Sequence, residues 1–275
     1  MTPPARAALW GRDQQKLGEV GGATGTRCAV ALSAGGAKKT YAHVDPNEDA
    51  AAFAEGAYGL LVAVADGHGG CEASELALRE LLARYAADWT EAPRLPEANW
   101  EETVCRALGD LNDAVLRNAT GSGHPCRTTL ALALARPAEG RWLCASLGDS
   151  HVFEITSAGA RDLTLSDFAI ESTPFLGSRR WDQPALQARC FLSERPLTGT
   201  LAVALATDGL SEFSVGVEDP EACVAEAFHS GCDASETPAA ATAHIIVNHA
   251  CEAHRHNPSG DNVAAAVIWL VDIGV

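Results

Sequence analysis

Lysine is almost missing from this sequence. Lys16, Lys38 and Lys39 are the only three, and arginine supplies the rest of the positive charge. Together the two basic types number 20 against 36 acidic residues, a formal net charge of −16. A chain so poor in cations offers no basic face to a phosphate backbone or an anionic bilayer, so no nucleic-acid and no membrane partner is expected. Long apolar runs are also missing. The longest, Ala57 to Ala65, stops at Asp66, far short of the ~20 residues that cross a bilayer and suited to a buried strand. Met1 to Val20 contains no apolar stretch of signal-peptide type, which points to a cytoplasmic location. No CxxC pair occurs among the nine cysteines (Cys28, Cys71, Cys105, Cys126, Cys144, Cys190, Cys223, Cys232 and Cys251). Their odd number and irregular spacing fit reduced thiols better than a disulfide framework or a structural zinc. There is no internal repeat and no low-complexity tract.

What is present is an ordinary globular balance: 275 residues, 47% hydrophobic and 20% charged, enough to bury a substantial core. Residues 1–25, mixed and Gly-rich towards their end, read as a flexible N-terminal arm, with the globular part over 26–275. Cys28 to Ser33 and Tyr58 to Ala65 are strand candidates, separated by a polar loop over 38–50. Past the glycines at 67, 69 and 70 the period changes. Leu78, Leu81, Leu82, Tyr85 and Trp89, then Trp100, Val104, Leu108, Leu111 and Val115, recur at helical spacing and mark two amphipathic helices. Strand candidates follow at Thr129–Ala135, Trp142–Leu147 and His151–Thr156, with Gly140 and Gly148-Asp149 as turns. Residues 157–196, with Pro174, Gly177 and Pro184, read as a flap-like surface insertion. A strand over Thr200–Ala206, helices near 219–230 and 237–254, and a strand over Val263–Val271 complete the chain. Runs of strands beside paired helices indicate an α+β layered class rather than alternating βαβ units.

Four acidic motifs stand at the ends of these strands: Asn47-Glu48-Asp49, Asp66-Gly67-His68-Gly69-Gly70, Thr207-Asp208-Gly209 and Gly260-Asp261-Asn262. A carboxylate at a strand end followed by glycine leaves the sheet at its rim, where several can converge. Converging carboxylates repel one another and need a compensating cation. Oxygen donors without cysteine or paired histidine favour hard ions, Mg²⁺ or Mn²⁺. Taken singly each motif is a common turn; Asp-Gly in particular is a frequent turn dipeptide.

Taken together and in this order, with Leu147-Gly148-Asp149-Ser150 as a fifth signature, the motifs resemble those of the PPM (PP2C-type) metal-dependent protein serine/threonine phosphatases over about 30–270. The resemblance implies a four-layer αββα sandwich of two antiparallel sheets flanked by helix pairs. It implies two divalent cations, Mn²⁺ or Mg²⁺, with a weaker third. Asp66 would bridge the two ions, and the Gly67 carbonyl would be a further ligand. Asp208 and Asp261 would serve the second ion, and Glu48 and Asp49 would hold the ions directly or through water. Asp149 and Glu212 occupy positions linked to the third, and His68 corresponds to the proposed general acid. The implied reaction is hydrolysis of phosphoserine and phosphothreonine esters by metal-activated water, with a phosphoprotein substrate and an opposing serine/threonine kinase.

The sequence departs from the family pattern where an arginine usually grips the substrate phosphate, four residues before the motif glutamate. Val44 stands there and cannot supply a guanidinium fork. His43, Lys38, Lys39, Arg179 and Arg180 are the candidates to replace it. The usual Gly-Asp-Ser-Arg ends here in His151, an expected aromatic is Ser211, and Glu212 replaces an aspartate. Two other readings stay open: a catalytically weak or inactive module of the same fold that binds a phosphoprotein or kinase, and a hydrolase of small phosphoesters. His244, His249, His254 and His256 cluster in sequence, but a spacing of five between the first two does not share a helix face, so surface or satisfied histidines are expected rather than a metal site.

Overall fold

Strands that are apolar at every position can be buried on both faces, and that is how this chain uses them. The computed structural model describes residues 5–95, 99–118, 126–164, 174–180 and 188–271. One antiparallel sheet is made of β1 (Arg6–Trp10), β4 (Ala50–Glu55), β5 (Leu60–Ala65), β8 (Leu130–Arg136), β9 (Arg141–Leu147) and β12 (Phe191–Pro196), in the order β1-β4-β5-β8-β9-β12. The other is made of β2 (Val20–Thr24), β3 (Cys28–Ser33), β10 (His151–Thr156), β11 (Gly159–Asp162), β13 (Thr200–Ala206) and β14 (Val263–Trp269), in the order β11-β10-β13-β14-β3-β2. A two-residue ladder joins β6 (Gly67–His68) to β7 (Arg127–Thr128).

The strand period of two sorts side chains between two cores. Along β5, Leu60, Val62 and Val64 point between the sheets, while Leu61, Ala63 and Ala65 point outward to the helices. Along β8 the split is cleaner: Leu130, Leu132 and Leu134 face the helices, and Ala131, Ala133 and Ala135 face the other sheet. Three helices cover the first sheet: α1 (Glu72–Arg84), α2 (Ala86–Thr90) and α3 (Trp100–Asn118). The second sheet is covered by α4 (Pro220–Cys232) and α5 (Pro238–His256). Both of the latter begin with proline, which fits the first helical position. Asp219 caps α4 by accepting the Ala222 N–H at 2.9 Å, a contact worth about 1 kcal/mol. The result is the expected α+β sandwich, with helices outside, two antiparallel sheets inside and a sheet-to-sheet core between them.

Three parts of the chain differ from expectation. Residues 6–10 and 20–24, anticipated within a loose arm, are edge strands that pair with β4 and β3 respectively. Their mixed exposure reflects an edge position with one face packed. Residues 50–55 form β4 in the middle of the first sheet. Four alanines and one phenylalanine carry little strand propensity, and the segment is held by burial on both faces. Within 157–196, residues 159–162 and 191–196 are edge strands of the two sheets; 165–173 and 181–187 lie outside the described residues. Among the described residues no helix is long and apolar enough to cross a membrane.

Candidate metal centre

The antiparallel registers bring one set of strand ends together. Ala50 lies opposite Ala65, Leu130 opposite Leu147, His151 opposite Ala206, and Val263 opposite Ser33. The acidic residues just beyond these ends therefore share one rim: Glu48 and Asp49 enter β4, Asp66 leaves β5, Asp149 sits between β9 and β10, Asp208 leaves β13, and Asp261 enters β14. Carboxylate oxygens of Asp66, Asp149 and Asp208 lie within 4.8 Å of one another.

A polar framework fixes the backbone that carries these groups. Asn262 is its central member: its Oδ1 accepts the Glu48 N–H at 2.8 Å, its own N–H donates to Asp261 Oδ1 at 2.7 Å, and its Nδ2 donates to the Pro46 carbonyl at 2.9 Å. The Gly67 N–H donates to the Glu48 carbonyl at 3.1 Å. The Thr129 hydroxyl accepts the Asp66 N–H at 3.0 Å and meets Ser150 Oγ at 2.9 Å. The Thr207 hydroxyl donates to Asp49 Oδ2 at 2.7 Å. Gly209 has no room for a side chain, because a Cβ would stand 1.8 Å from the Asn262 carbonyl oxygen. Ser150 and Thr207 lie within the motifs read from the sequence, but nothing there marks Thr129, a lone hydroxyl whose partners lie far along the chain.

Electrostatics shows what the cluster lacks. Burial first, and then the charges of Asp208, Asp49 and Asp261, hold the Asp66 carboxyl well above the usual carboxylate range. Asp208 is raised in the same way, by burial and then by Asp261, Asp149 and Asp49. Asp49 is pushed up to about 7, again chiefly by burial. Such a group of carboxylates is uncomfortable as anions unless a cation joins them. One side chain already plays part of that role. Lys39, whose side chain is 4% exposed, places Nζ 2.9 Å from Asp261 Oδ1. Burial pulls the Lys39 pKa down, but Asp261, Asp49 and Asp66 outweigh it, and the net direction is up. An ammonium drawn into the cluster as a stand-in cation, together with an all-oxygen donor set, fits hard divalent ions at this rim.

The other anticipated residues fall as follows. The Glu48 carboxylate turns back to its own loop, with Oε1 accepting the N–H groups of Val44 at 3.0 Å and Asp45 at 3.2 Å. Gly67 lies beside Asp66 in β6. Asp149 is exposed and joins Asp66 and Asp208 directly. Glu212 is exposed, and its pKa is raised by burial and then by Asp261 and Asp149. His68 Nδ1 is 3.5 Å from Asp66 Oδ2, too long for a good hydrogen bond, and it has no hydrogen-bond partner among the described residues. Its ring packs at 4.7 Å from Phe175, which in turn carries the Arg127 guanidinium at 4.6 Å. Burial, partly offset by Asp149, lowers the His68 pKa.

Val44 is surface-exposed and brings no charge. Among the proposed replacements for an arginine there, Lys39 reaches the cluster. Lys38, His43, Arg179 and Arg180 are exposed, and the His43 ring bonds to the Tyr41 carbonyl. His151 and Ser211, both departures from the family pattern, meet each other: His151 bonds Asp162 at 2.6 Å through Nδ1 and Ser211 Oγ at 2.5 Å through Nε2. This chain of contacts ties β10 and β11 to the turn that carries Asp208. The four late histidines do not converge. His254 is buried between the Gly36 N–H and the Gly209 carbonyl, His249 meets Cys223, His244 meets Glu236, and His256 meets Glu252. No disulfide joins the cysteines among the described residues.

The sequence profile of the family described as Protein phosphatase 2C matches residues 38–260. Among solved structures, a bacterial serine phosphatase superposes with a TM-score of 0.65 at 20% identity, over 91% of this chain and 100% of its own. The PPM Ser-Thr phosphatase MsPP from Mycobacterium smegmatis, solved with cacodylate, gives 0.57 at 22% identity, over 89% and 98% of the two chains. The catalytic domain of the serine threonine protein phosphatase PstP, solved with two manganese ions, gives 0.62 at 22% identity, over 90% and 98%. No curated protein matches the sequence. At these identities the structural likeness concerns the fold.

Proposed function

The chain belongs to the protein phosphatase 2C family, and from that premise we propose that it hydrolyses phosphoserine and phosphothreonine esters of proteins with two divalent cations, Mn²⁺ or Mg²⁺, held at the carboxylate rim. The observation that carries this reading is the convergence of Asp66, Asp149 and Asp208 within 4.8 Å, with Lys39 seated on neighbouring Asp261. Asp66, Asp208 and Asp261, with Asp49 and the Gly67 carbonyl, are the groups to hold the ions. Glu48 acts through the loop it braces, and Asp149 and Glu212 are the groups available to a third ion. When bound, the ions supply a water of lowered pKa and neutralise the phosphoryl oxygens.

The chain's own side chains supply the rest. His68, beside Asp66, protonates the departing serine or threonine oxygen, a poor leaving group without a proton. Lys39 stands in for the family's arginine and holds a phosphoryl oxygen as a point charge rather than a fork. Phe175 and Arg127 support the His68 ring from the side of the flap. The opposing enzyme is a serine/threonine kinase, and a cytoplasmic setting suits cysteines that form no disulfide among the described residues.

The test is phosphate release from a phosphothreonine peptide, measured with Mn²⁺, with Mg²⁺ and with chelator. Metal-dependent release that disappears in Asp208→Asn supports the proposal. A folded wild-type chain that releases none with either ion contradicts it and moves the reading to a phosphoprotein-binding module.

A further inference from the structure

We propose that a cleft beside the carboxylate rim binds an arginine side chain of the substrate protein, a few residues from the phosphorylated one. The proposal rests on the phosphatase reading above and adds to it a class of substrate, phosphosites with a basic neighbour. The cleft has a volume of about 420 Å³ and is walled by Ser211, Glu212, Phe213, Val217, Glu218 and Asn257, among others. That lies at the small end of the range for ligand sites, about 300–1,000 Å³, and suits one long side chain.

The turn that builds the cleft is fixed by its backbone. The Glu212 N–H donates to the Asp208 carbonyl at 2.6 Å, so the cleft begins where the rim ends. The Val215 and Gly216 N–H groups both donate to the Glu212 carbonyl, at 2.9 and 2.8 Å, and the Val217 N–H donates to the Leu210 carbonyl at 2.8 Å. Asn257 joins from the end of α5, its Nδ2 donating to the Val215 carbonyl at 2.8 Å. Phe213 and Ser214 are left at the tip. Ser214 takes a φ of 61° there, a left-handed conformation that serine rarely adopts.

Three parts of the wall are unsatisfied. Phe213 is 90% exposed, against 46% or less for the other exposed large hydrophobic residues. Glu212 and Glu218 are both exposed, and neither carboxylate has a basic partner among the described residues. Asn257 uses its amide nitrogen on the Val215 and Ala253 carbonyls, which leaves its side-chain oxygen as an acceptor. An aromatic face beside two carboxylates and an amide oxygen calls for a cation with an apolar stem. Arginine matches each part. Its guanidinium stacks on a ring, offers five N–H donors and is always charged, and its methylenes cover Phe213 and Val217. Lysine brings the charge without the stacking plane. An acidic neighbour would meet Glu212 and Glu218 as like charges. The net charge of −16 draws basic segments to the whole surface, and the cleft fixes where one side chain settles.

The experiment moves one arginine along an otherwise uncharged phosphothreonine peptide, from one side of the phosphorylated residue to the other. The full chain is used with Mn²⁺ at physiological ionic strength, where attraction is screened beyond about 8 Å. Turnover is read as kcat/KM, and affinity by fluorescence anisotropy with a phosphonate analogue whose C–P bond is not hydrolysed. One arginine position should raise both by about 3–30-fold over alanine, the combined range of an exposed cation–π contact and an ion pair. Lysine at that position should gain less. Phe213→Ala and Glu218→Gln should each remove most of the gain and leave the alanine peptide and para-nitrophenyl phosphate unaffected. Glu218→Arg should shift the preference at that position to glutamate. Glu101→Gln, an equal change of charge on α3, should change neither readout. Equal affinity for every peptide, or a gain that persists in the Phe213→Ala/Glu218→Gln double variant, would overturn the proposal. Binding of the phosphonate needs no turnover, so a chain that releases no phosphate contradicts the phosphatase reading while the arginine preference is still decided.

Discussion

Asp49→Asn should stabilise the metal-free protein, and increasingly so as pH rises from about 4 to about 7. Asp49 is 1% exposed, and its carboxyl is pushed from 3.8 up to about 7, chiefly by burial and then by Asp261, with Lys39 opposing. The folded state therefore holds this proton more tightly than the unfolded chain does. The group's contribution to stability is fully present below the unfolded value near 4 and is lost as pH rises through about 7. A shift of about three units, at 1.36 kcal/mol each, is on the order of 4 kcal/mol at pH 8. Asparagine never ionises, and its amide oxygen can still accept from Thr207, so it avoids that loss. At roughly 2–4 °C per kcal/mol for a chain of this size, Tm in chelator should rise by on the order of 10 °C at pH 8, by less than half as much at pH 5, and hardly at all near pH 4. Added Mn²⁺ should narrow the difference. The wild type gains about 2.7 kcal/mol at a hundredfold excess over Kd, and Asp49→Asn forfeits much of it. The assay is urea or thermal unfolding from pH 4 to 8.5, with chelator and with Mn²⁺. Equal pH profiles for the two proteins in chelator, or a less stable variant at pH 8, would refute the reasoning.

Gly209→Ala would place a methyl group 1.8 Å from the Asn262 carbonyl oxygen. Because the obstacle is backbone, the Asp208 turn must move away from the start of β14; a loss of about 1–3 kcal/mol on unfolding and at least tenfold weaker Mn²⁺ binding by calorimetry are expected. His68→Gln should slow phosphothreonine hydrolysis by about 10²–10⁴-fold and leave para-nitrophenyl phosphate, whose leaving group needs no proton, far less affected. Equal losses on both substrates would exclude the acid role. Lys39→Met should raise KM for the phosphopeptide by about tenfold or more, the value of one charge-assisted hydrogen bond. An unchanged KM would remove Lys39 from phosphate binding.

The central strands were legible because burial on both faces leaves nearly unbroken apolar runs, as in Leu60–Ala65 and Thr200–Ala206. The rim was legible for a related reason: an aspartate that interrupts such a run, followed by glycine, marks the point where the chain leaves the core. The Ala50–Glu55 strand was not legible, since alanine fits any element and only its neighbours make it a strand. Residues 6–10, 20–24 and 191–196 are edge strands whose polar positions mimic loop. Side-chain reach escaped the sequence altogether. Nothing in Ala37-Lys38-Lys39-Thr40 says which lysine turns inward, yet Lys39 meets Asp261, more than two hundred residues away. The thiols behave likewise: Cys126 meets Glu72, the neighbour of Cys71, because β6 pairs with β7.

The most direct test of the central claim follows metal occupancy and chemistry in one sample. Mn²⁺ is titrated into the stripped protein while bound ion and phosphate released from a phosphothreonine peptide are both recorded. The account predicts that turnover rises with the second bound ion, and that Asp66→Asn loses both together. A wild-type protein that fills with two ions and stays inactive, or turns over with none bound, would contradict it.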